Sequence, residues 1–401
     1  MSGEISRRTF LRGTLAGAIV VAGFDTGLRS WVSAAELEHA TLAEDFPAFD
    51  GVLLLDDASR AAAADDFGHL VHRQPLAVLK PASVNDVVKL IGFARRNTIQ
   101  VAARGQGHST QGQSQVEAGV VVDMSTLATI HEINPTDALV DGGTRWLDLL
   151  AQTIPQGLTP PTLVDFLELT IGGTLSLGGI GSQAFRHGSQ VDNVLELQVV
   201  TGEGELVSCS PSQNVTLFEA ARSGLGQFGV IVRARVRLIA APPNARLYHA
   251  FYSSLPDFLD DLESLIDDGR FDTVQGFAVP DGAGGWLYQL ETSKYFSPGN
   301  EPDDAALLSG LAFNPGSQSA QDMTYFDYLN RLAPLVAFLR QIGVWDVPHP
   351  WVNLFVPAVN AQTLIGETLS NLSVDDVGPG TYPHLSVQPR TFQCAILPRT
   401  G

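Results

Sequence analysis

Apolar positions change their spacing repeatedly along the chain, and the changes predict where strands and helices fall. "LAVLK" (Leu76–Lys80) is a short apolar run that stops at Pro81, which predicts a strand, because proline has no N–H to give to a ladder. Val84, Val87, Val88 and Ile91 then recur at i, i+3, i+4 and i+7, one face of a helix, with Ser83 as its N-cap and Asp86 three residues on. "IQVAAR" (Ile99–Arg104) and "GVVVDM" return to strand spacing, and "TRWLDLLAQTI" predicts a helix capped by Thr144. "NVLELQVVT" and "ELVSCS" flank Gly202-Glu203-Gly204, a hairpin signal. "NVTLFEAARS" predicts a short helix. "GVIVRARVRL" (Gly229–Leu238) alternates apolar and basic residues, as a strand does with one face buried and one wet.

Pro242-Pro243 is a stiff break and places a domain boundary at 243. Beyond it, "SLPDFLDDLESLIDD" predicts an acidic amphipathic helix and "GGWLYQLETSKYF" a strand. "MTYFDYLNRLAPLVAFLRQIG" is mostly helical, interrupted by Pro334, and "HPWVNLFVPA" is a strand bracketed by prolines. Strands alternating with helices predict a sheet covered by helices. From Gly378 onward no period is sustained, and no element is assigned.

The 401 residues suffice for two domains, and 17% charged residues with no long run of one sign leave no disordered tail to expect. A net charge of -19 excludes a nucleic-acid partner and disfavours an anionic membrane, leaving a neutral or cationic small molecule as the fitting ligand. At the N-terminus Arg7 and Arg8 precede Phe10 and Leu11. An apolar stretch, Thr14 to Phe24, follows and is too short to span a bilayer, and Ser33-Ala34-Ala35 supplies small residues for cleavage. This pattern resembles a twin-arginine export signal. Residues 1–35 are therefore expected to be a leader, the twin-arginine export machinery a partner, and the protein periplasmic or extracellular. Cys209 and Cys394 make no disulfide framework.

The stretch "AARGQGHSTQGQ" (Ala102–Gln113) is the first candidate for chemistry. Glycine permits positive φ and close approach of main-chain N–H groups, and successive N–H groups form a concave anion site suited to a diphosphate. His108 lies inside that loop. The same spacing also fits a crossover loop with an idle surface histidine. A serine nucleophile elbow is excluded, since "GHSTQ" around Ser109 lacks the closing glycine. "GLGQFG" (Gly224–Gly229) follows a helix and precedes a strand, the reverse of the dinucleotide fingerprint, so tight packing is its expected role. His69 and His72 have no third ligand nearby, and no metal site is expected. Asp165, among Leu163, Val164, Phe166 and Leu167, is a candidate general base whose pKa burial would raise, or else an exposed acid on a turn. Six glycines between Gly172 and Gly188 again permit close backbone approach to a flat or phosphorylated ligand.

Five segments occur in one order: "ARGQGHSTQGQ", "DFLELTIGGTLS", "GSQAFRHGSQVDNVLELQVVTGEGELVSCS", "GLGQFGVIVRARVRL" and "HPWVNLFVP". Together they resemble the cytokinin dehydrogenases, FAD enzymes of the vanillyl-alcohol-oxidase type, from about Asp66 to about Pro357. The resemblance implies an α+β fold: a PCMH-type FAD-binding domain of two α/β subdomains over 36–243, and a substrate domain with an antiparallel sheet covered by helices over 244–401. It implies FAD bonded covalently to His108, with Gly105, Gln106, Gly107, Ser109 and Gln113 along the diphosphate. Asp165, Thr170, Ser176, Ile180 and Val230 match further positions that contact FAD. Asp165 takes the place of the catalytic aspartate, accepting the proton of a secondary amine while a hydride equivalent passes to the flavin. The resulting imine hydrolyses to adenine and an aldehyde. Trp351 aligns with an aromatic that stacks on the adenine of the substrate. An alcohol or a sugar oxidised on the same fold is the alternative. Relatives continue past the "HPWVNLFVP" region with a segment that returns to the FAD domain. The chain is therefore expected to be a truncated relative, with an inactive one as a further alternative.

Overall fold

The computed structural model describes residues 19–33, 35–36, 46–373, 376 and 384–385. Helices and sheets are mixed, as the resemblance implies, and three sheets organise them.

The first is four-stranded, in the order Val52–Leu54, Ala77–Lys80, Val120–Asp123, Val101–Arg104; the last three are parallel. The helix Val84–Arg96 makes the crossover from Ala77–Lys80 to Val101–Arg104, and Val120–Asp123 lies between those two strands. Ser83 caps that helix by accepting the Asp86 N–H, while the buried Asp86 carboxylate accepts the N–H groups of Asp50, Gly51 and Ala82. Its apolar face places Val87, Leu90 and Phe93 fully inside. The glycine loop begins where the strand Val101–Arg104 ends, at the carboxyl edge of this sheet, the usual place for a ligand in α/β architecture.

The second sheet is antiparallel, in the order Leu206–Cys209, Val194–Val200, Val230–Arg237, Asp137–Asp141, Ile130–Asn134. Its strands alternate as predicted: Val232, Ala234 and Val236 are buried, whereas Arg233 and Arg235 turn outward to Asp141, Asp137 and Glu132. Val200 and Val232 face the core of the first sheet, Val199 and Ile231 that of the second, so one sheet serves two cores.

The third sheet, also antiparallel, runs Ser319–Thr324, Asn244–Tyr252, Trp286–Phe296, Thr273–Pro280, His384–Leu385. The acidic helix Leu255–Asp268 covers it through Phe258, Leu262 and Leu265. The strand Asn244–Tyr252 starts directly after Pro242-Pro243. In the core there is no break: Ala245, Leu247, Tyr325 and Tyr328 join the same cluster as Leu163 and Leu167.

Three local readings need correction. Thr144 does not cap the helix Trp146–Thr153; Arg145 holds that position and reaches forward to Asp148, while Thr144 is buried. Pro334 opens the helix Ala333–Gln341 and does not interrupt one, because an N-terminal turn has no use for the missing N–H. "HPWVNLFVPA" is not a strand: Pro348, Pro350 and Pro357 remove donors, and it has no ladder partner among the described residues. Of the expected leader, residues 19–33 and 35 are among those described. Arg7, Arg8, Phe10 and Leu11 fall outside the described residues, but Val21–Asp25 and Ser30–Ser33 form a hairpin. Phe24 and Trp31 are buried there against Phe93, so the second half of the segment read as 1–35 is packed into the first core. The apolar run that suggests a leader serves equally as the inner face of a hairpin.

Candidate active site

The glycine loop forms one wall of a cleft of about 870 Å³ between the first two sheets. Asp66 shapes the loop. Its buried carboxylate accepts the Ser109 hydroxyl at 2.9 Å, the Gly112 N–H at 2.8 Å and the Gly68 N–H at 3.1 Å. Phe67 and Gly68 in turn donate their N–H groups to the carbonyls of Gly107 and Ser109. The loop's own N–H groups are left over: those of Gln106, Gly107, His108 and Ser109 have no protein acceptor among the described residues. Four adjacent free donors at a glycine bend are the chemistry of an anion cradle. Glycine is required at 107, where φ is +66° and a side chain would collide with the Arg104 guanidinium. Arg104 itself is anchored on the Asp65 carbonyl at 2.6 Å.

Gly105, Gln106, Gly107, His108, Ser109 and Gln113 all lie on the cleft wall. Thr170, Ser176 and Val230, far apart in sequence, complete it. Ile180 is not on the wall; it is half-buried and packs on the second core. The "GLGQFG" segment does pack tightly, as Gly224 against the Ala220 carbonyl shows, but Gly226 and Gln227 also face the cleft. The free N–H groups, the glycines and the volume of the cleft suit a dinucleotide such as FAD.

Rings gather at the mouth. His108 stacks on Phe67 at 4.1 Å, and Phe166, Trp345 and Trp351 surround it at 4.9, 5.9 and 6.1 Å. Phe67 stacks on its other side against His349 at 4.0 Å, whose ring donates from Nδ1 to the Phe67 carbonyl at 2.9 Å. The "HPW" segment of the substrate domain is thereby tied to the loop of the FAD domain. Burial, with the neighbouring His349 and Arg340, pushes the His108 imidazole down to about 4, so the ring is neutral at pH 7. Trp351, predicted to touch substrate, is exposed beside it.

Asp165 is brought near but not onto the cleft wall. Phe166 and Glu168, from the same loop, line a smaller cavity of about 300 Å³ next to His108. The Asp165 carboxylate turns toward Arg331, whose Nη2 donates to Oδ1 at 2.8 Å. The apolar neighbours in sequence are therefore not its neighbours in space: Leu163 and Leu167 point into the core and Asp165 away from it. His69 and His72 both pair with Asp65. Phe67, Asp66, His349 and Arg331 were not singled out in the sequence. "DDFGH" (Asp65–His69), several residues before the strand Ala77–Lys80, carries an aromatic and two acids, but nothing local says what they meet.

Comparison with known proteins agrees with this geometry. A family model for an FAD binding domain matches residues 75–210, and one described as cytokinin dehydrogenase 1, FAD and cytokinin binding, matches 278–387. An uncharacterized oxidoreductase of a fasciation locus in Rhodococcoides fascians is 42% identical over 328 residues, covering 82% of this chain and 75% of that protein. Cytokinin dehydrogenase 9 of Oryza sativa subsp. japonica is 40% identical over 345 residues, 77% of this chain and 66% of its own length. Cytokinin dehydrogenase 4 of Arabidopsis thaliana is 39% identical over 359 residues, 77% and 68%. The chain thus spans about two thirds to three quarters of the length of these relatives. With the cleft, the glycine loop and both domain matches in register, the chain belongs to the cytokinin dehydrogenase family of FAD-dependent oxidoreductases.

Proposed function

We propose that this protein oxidises the secondary amine of a cytokinin-like, N6-substituted adenine, with FAD held covalently through His108. One observation carries the reading: a neutral imidazole is enclosed by rings at the mouth of a cleft whose wall offers four free main-chain N–H groups. The N–H groups of residues 106–109 hold the diphosphate, and Thr170, Ser176 and Val230 border the rest of the cofactor. FAD bound there supplies the acceptor for a hydride equivalent. The neutral lone pair of His108 is what a bond to the ring system requires. Asp165 accepts the amine N–H proton as hydride leaves the adjacent carbon; the C=N bond forms without a full cation, and water then releases adenine and an aldehyde. Trp351, exposed at the mouth, offers a face to the adenine. The names of the plant relatives support this substrate class.

Export is the second part of the proposal. The Arg7-Arg8 pair addresses the folded, FAD-loaded chain to the twin-arginine machinery, and thus to the periplasm or the exterior. Substituting both arginines by lysine should leave the protein in the cytoplasmic fraction; unchanged export refutes this. For the chemistry, the denatured protein should carry the mass of one FAD, lost in His108→Ala. Anaerobic isopentenyl adenine should bleach the flavin while alcohols and sugars do not. A colourless protein of bare polypeptide mass, or bleaching by alcohols alone, overturns the reading.

A further inference from the structure

A buried polar cluster lies where the two domains meet. Arg331 follows the helix Tyr325–Leu329 of the substrate domain, and its side chain is 11% exposed. Nη2 donates both to Asp165 Oδ1 and to Glu291 Oε1, each at 2.8 Å, and Nε donates to Glu291 Oε1 at 3.1 Å. The guanidinium also lies over the Tyr328 ring at 4.8 Å. Glu291, on the strand Trp286–Phe296, also accepts from Gln275 Nε2 on Oε1 at 2.6 Å, and its Oε2 meets His249 Nε2 at 3.0 Å. Burial alone would raise the Glu291 carboxyl, but the His249 hydrogen bond and Arg331 outweigh it and bring it down to about 2. Glu291 is therefore a fixed anion whose oxygens are already engaged. Asp165 differs. It stands on a loop without regular structure, and its Oδ2 makes no hydrogen bond among the described residues.

We infer that Arg331 is the positioning residue of the reaction: it occupies Oδ1 of Asp165, fixes the carboxylate across the domain joint, and leaves Oδ2 as the single oxygen for the substrate N–H. This rests on the proposed role of Asp165. A fork of donors suits the task because it holds two carboxylates at once in one plane, which an ammonium does not.

The test uses FAD-loaded enzyme and stopped-flow reduction by isopentenyl adenine, with Arg331→Met, Arg331→Lys and Asp165→Asn. Arg331→Met should slow reduction about 100-fold with an amine affinity within about threefold of wild type and an unchanged flavin content. Millimolar guanidinium should restore at least a tenth of the rate, and Arg331→Lys should fall between. Removing the cation from between Asp165 and Glu291, with His249 and Tyr328 the other titratable groups of the cluster, should also move the acidic limb of the pH–rate profile upward. A rate within threefold of wild type, or a slow variant that neither guanidinium nor lysine restores, overturns the inference. Should Arg331→Met not fold, Arg331→Lys and Asp165→Asn decide it through a double-mutant cycle on the urea midpoint: additive shifts mean there is no tie. If wild-type flavin is not bleached by the amine at all, the functional reading falls, and the cycle still tests the tie.

Discussion

His108 is the group to perturb with pH. An ordinary imidazole titrates near about 6.5, whereas burial, His349 and Arg340 push this one down to about 4. At pH 5.5 that difference separates about 97% neutral ring from about 9%, roughly a tenfold ratio. Bond formation to the flavin needs the neutral lone pair. Incubating FAD-free protein with FAD should therefore attach cofactor at nearly equal initial rates at pH 5.5 and 7.5, read as flavin fluorescence in denaturing gels. The same shift has a consequence for stability. Above pH 6.5 neither the folded nor the unfolded chain protonates this ring, and it contributes nothing. Below 6.5 the unfolded chain takes up a proton that the folded chain refuses, so stability falls until about pH 4, by a total on the order of 3 kcal/mol. His108→Gln should remove that part of the acid sensitivity of the FAD-free protein. An attachment rate tenfold lower at pH 5.5 with a midpoint near 6.5, or identical acid sensitivity in His108→Gln, refutes the reasoning.

Three further outcomes follow from the same geometry. Gly107→Ala places a side chain at φ +66° against the Arg104 guanidinium; backbone strain of about 1–2 kcal/mol and a displaced loop should cut the flavin-to-protein absorbance ratio, and a wild-type ratio refutes it. Trp31→Ala empties a site lined by Phe24, Phe93 and Phe46; urea unfolding should show a loss of about 3–5 kcal/mol, whereas an unchanged midpoint removes the hairpin from the core. Cys209 is buried, with its thiol pushed up to about 11 by desolvation and then Glu196; peptide mapping should find it unlabelled by alkylating reagent in native protein at pH 8 and labelled after denaturation, and native labelling refutes it.

Much of the first two sheets was legible because their signals are local. Ser83 caps the helix it precedes, the hairpin around Gly202-Glu203-Gly204 forms where its glycines stand, and the arginines of Val230–Arg237 alternate with buried valines. The glycine loop was legible as a ligand-facing loop only in part: its spacing fits an idle crossover loop equally well, and it is the cleft that brings Gly105, Gly107 and Gly112 together with Thr170 and Val230. What failed were signals with two meanings. "HPWVNLFVPA" has strand composition, but a strand also needs a neighbour and free donors. Asp165 reads as an acid among apolar residues; that is true along the chain and untrue in space, because its loop turns Leu163 and Leu167 inward and the carboxylate toward Arg331.

That last difference bears on how the site is kept in register. His108 and Asp165 come from one domain; Arg331, His349 and Trp351 come from the other. Nothing in either half alone fixes their distances. The fixing is done by Leu163 and Leu167, on either side of Asp165, which share a core with Ala245, Leu247, Tyr325 and Tyr328 across the sequence boundary. Interiors packed to crystal density transmit displacement instead of absorbing it. A carboxylate two residues from one core anchor and two from another, and bound to an arginine beside a third, has little room to move relative to the rings around His108. The residues that pack the joint therefore set where the Asp165 carboxylate stands relative to those rings.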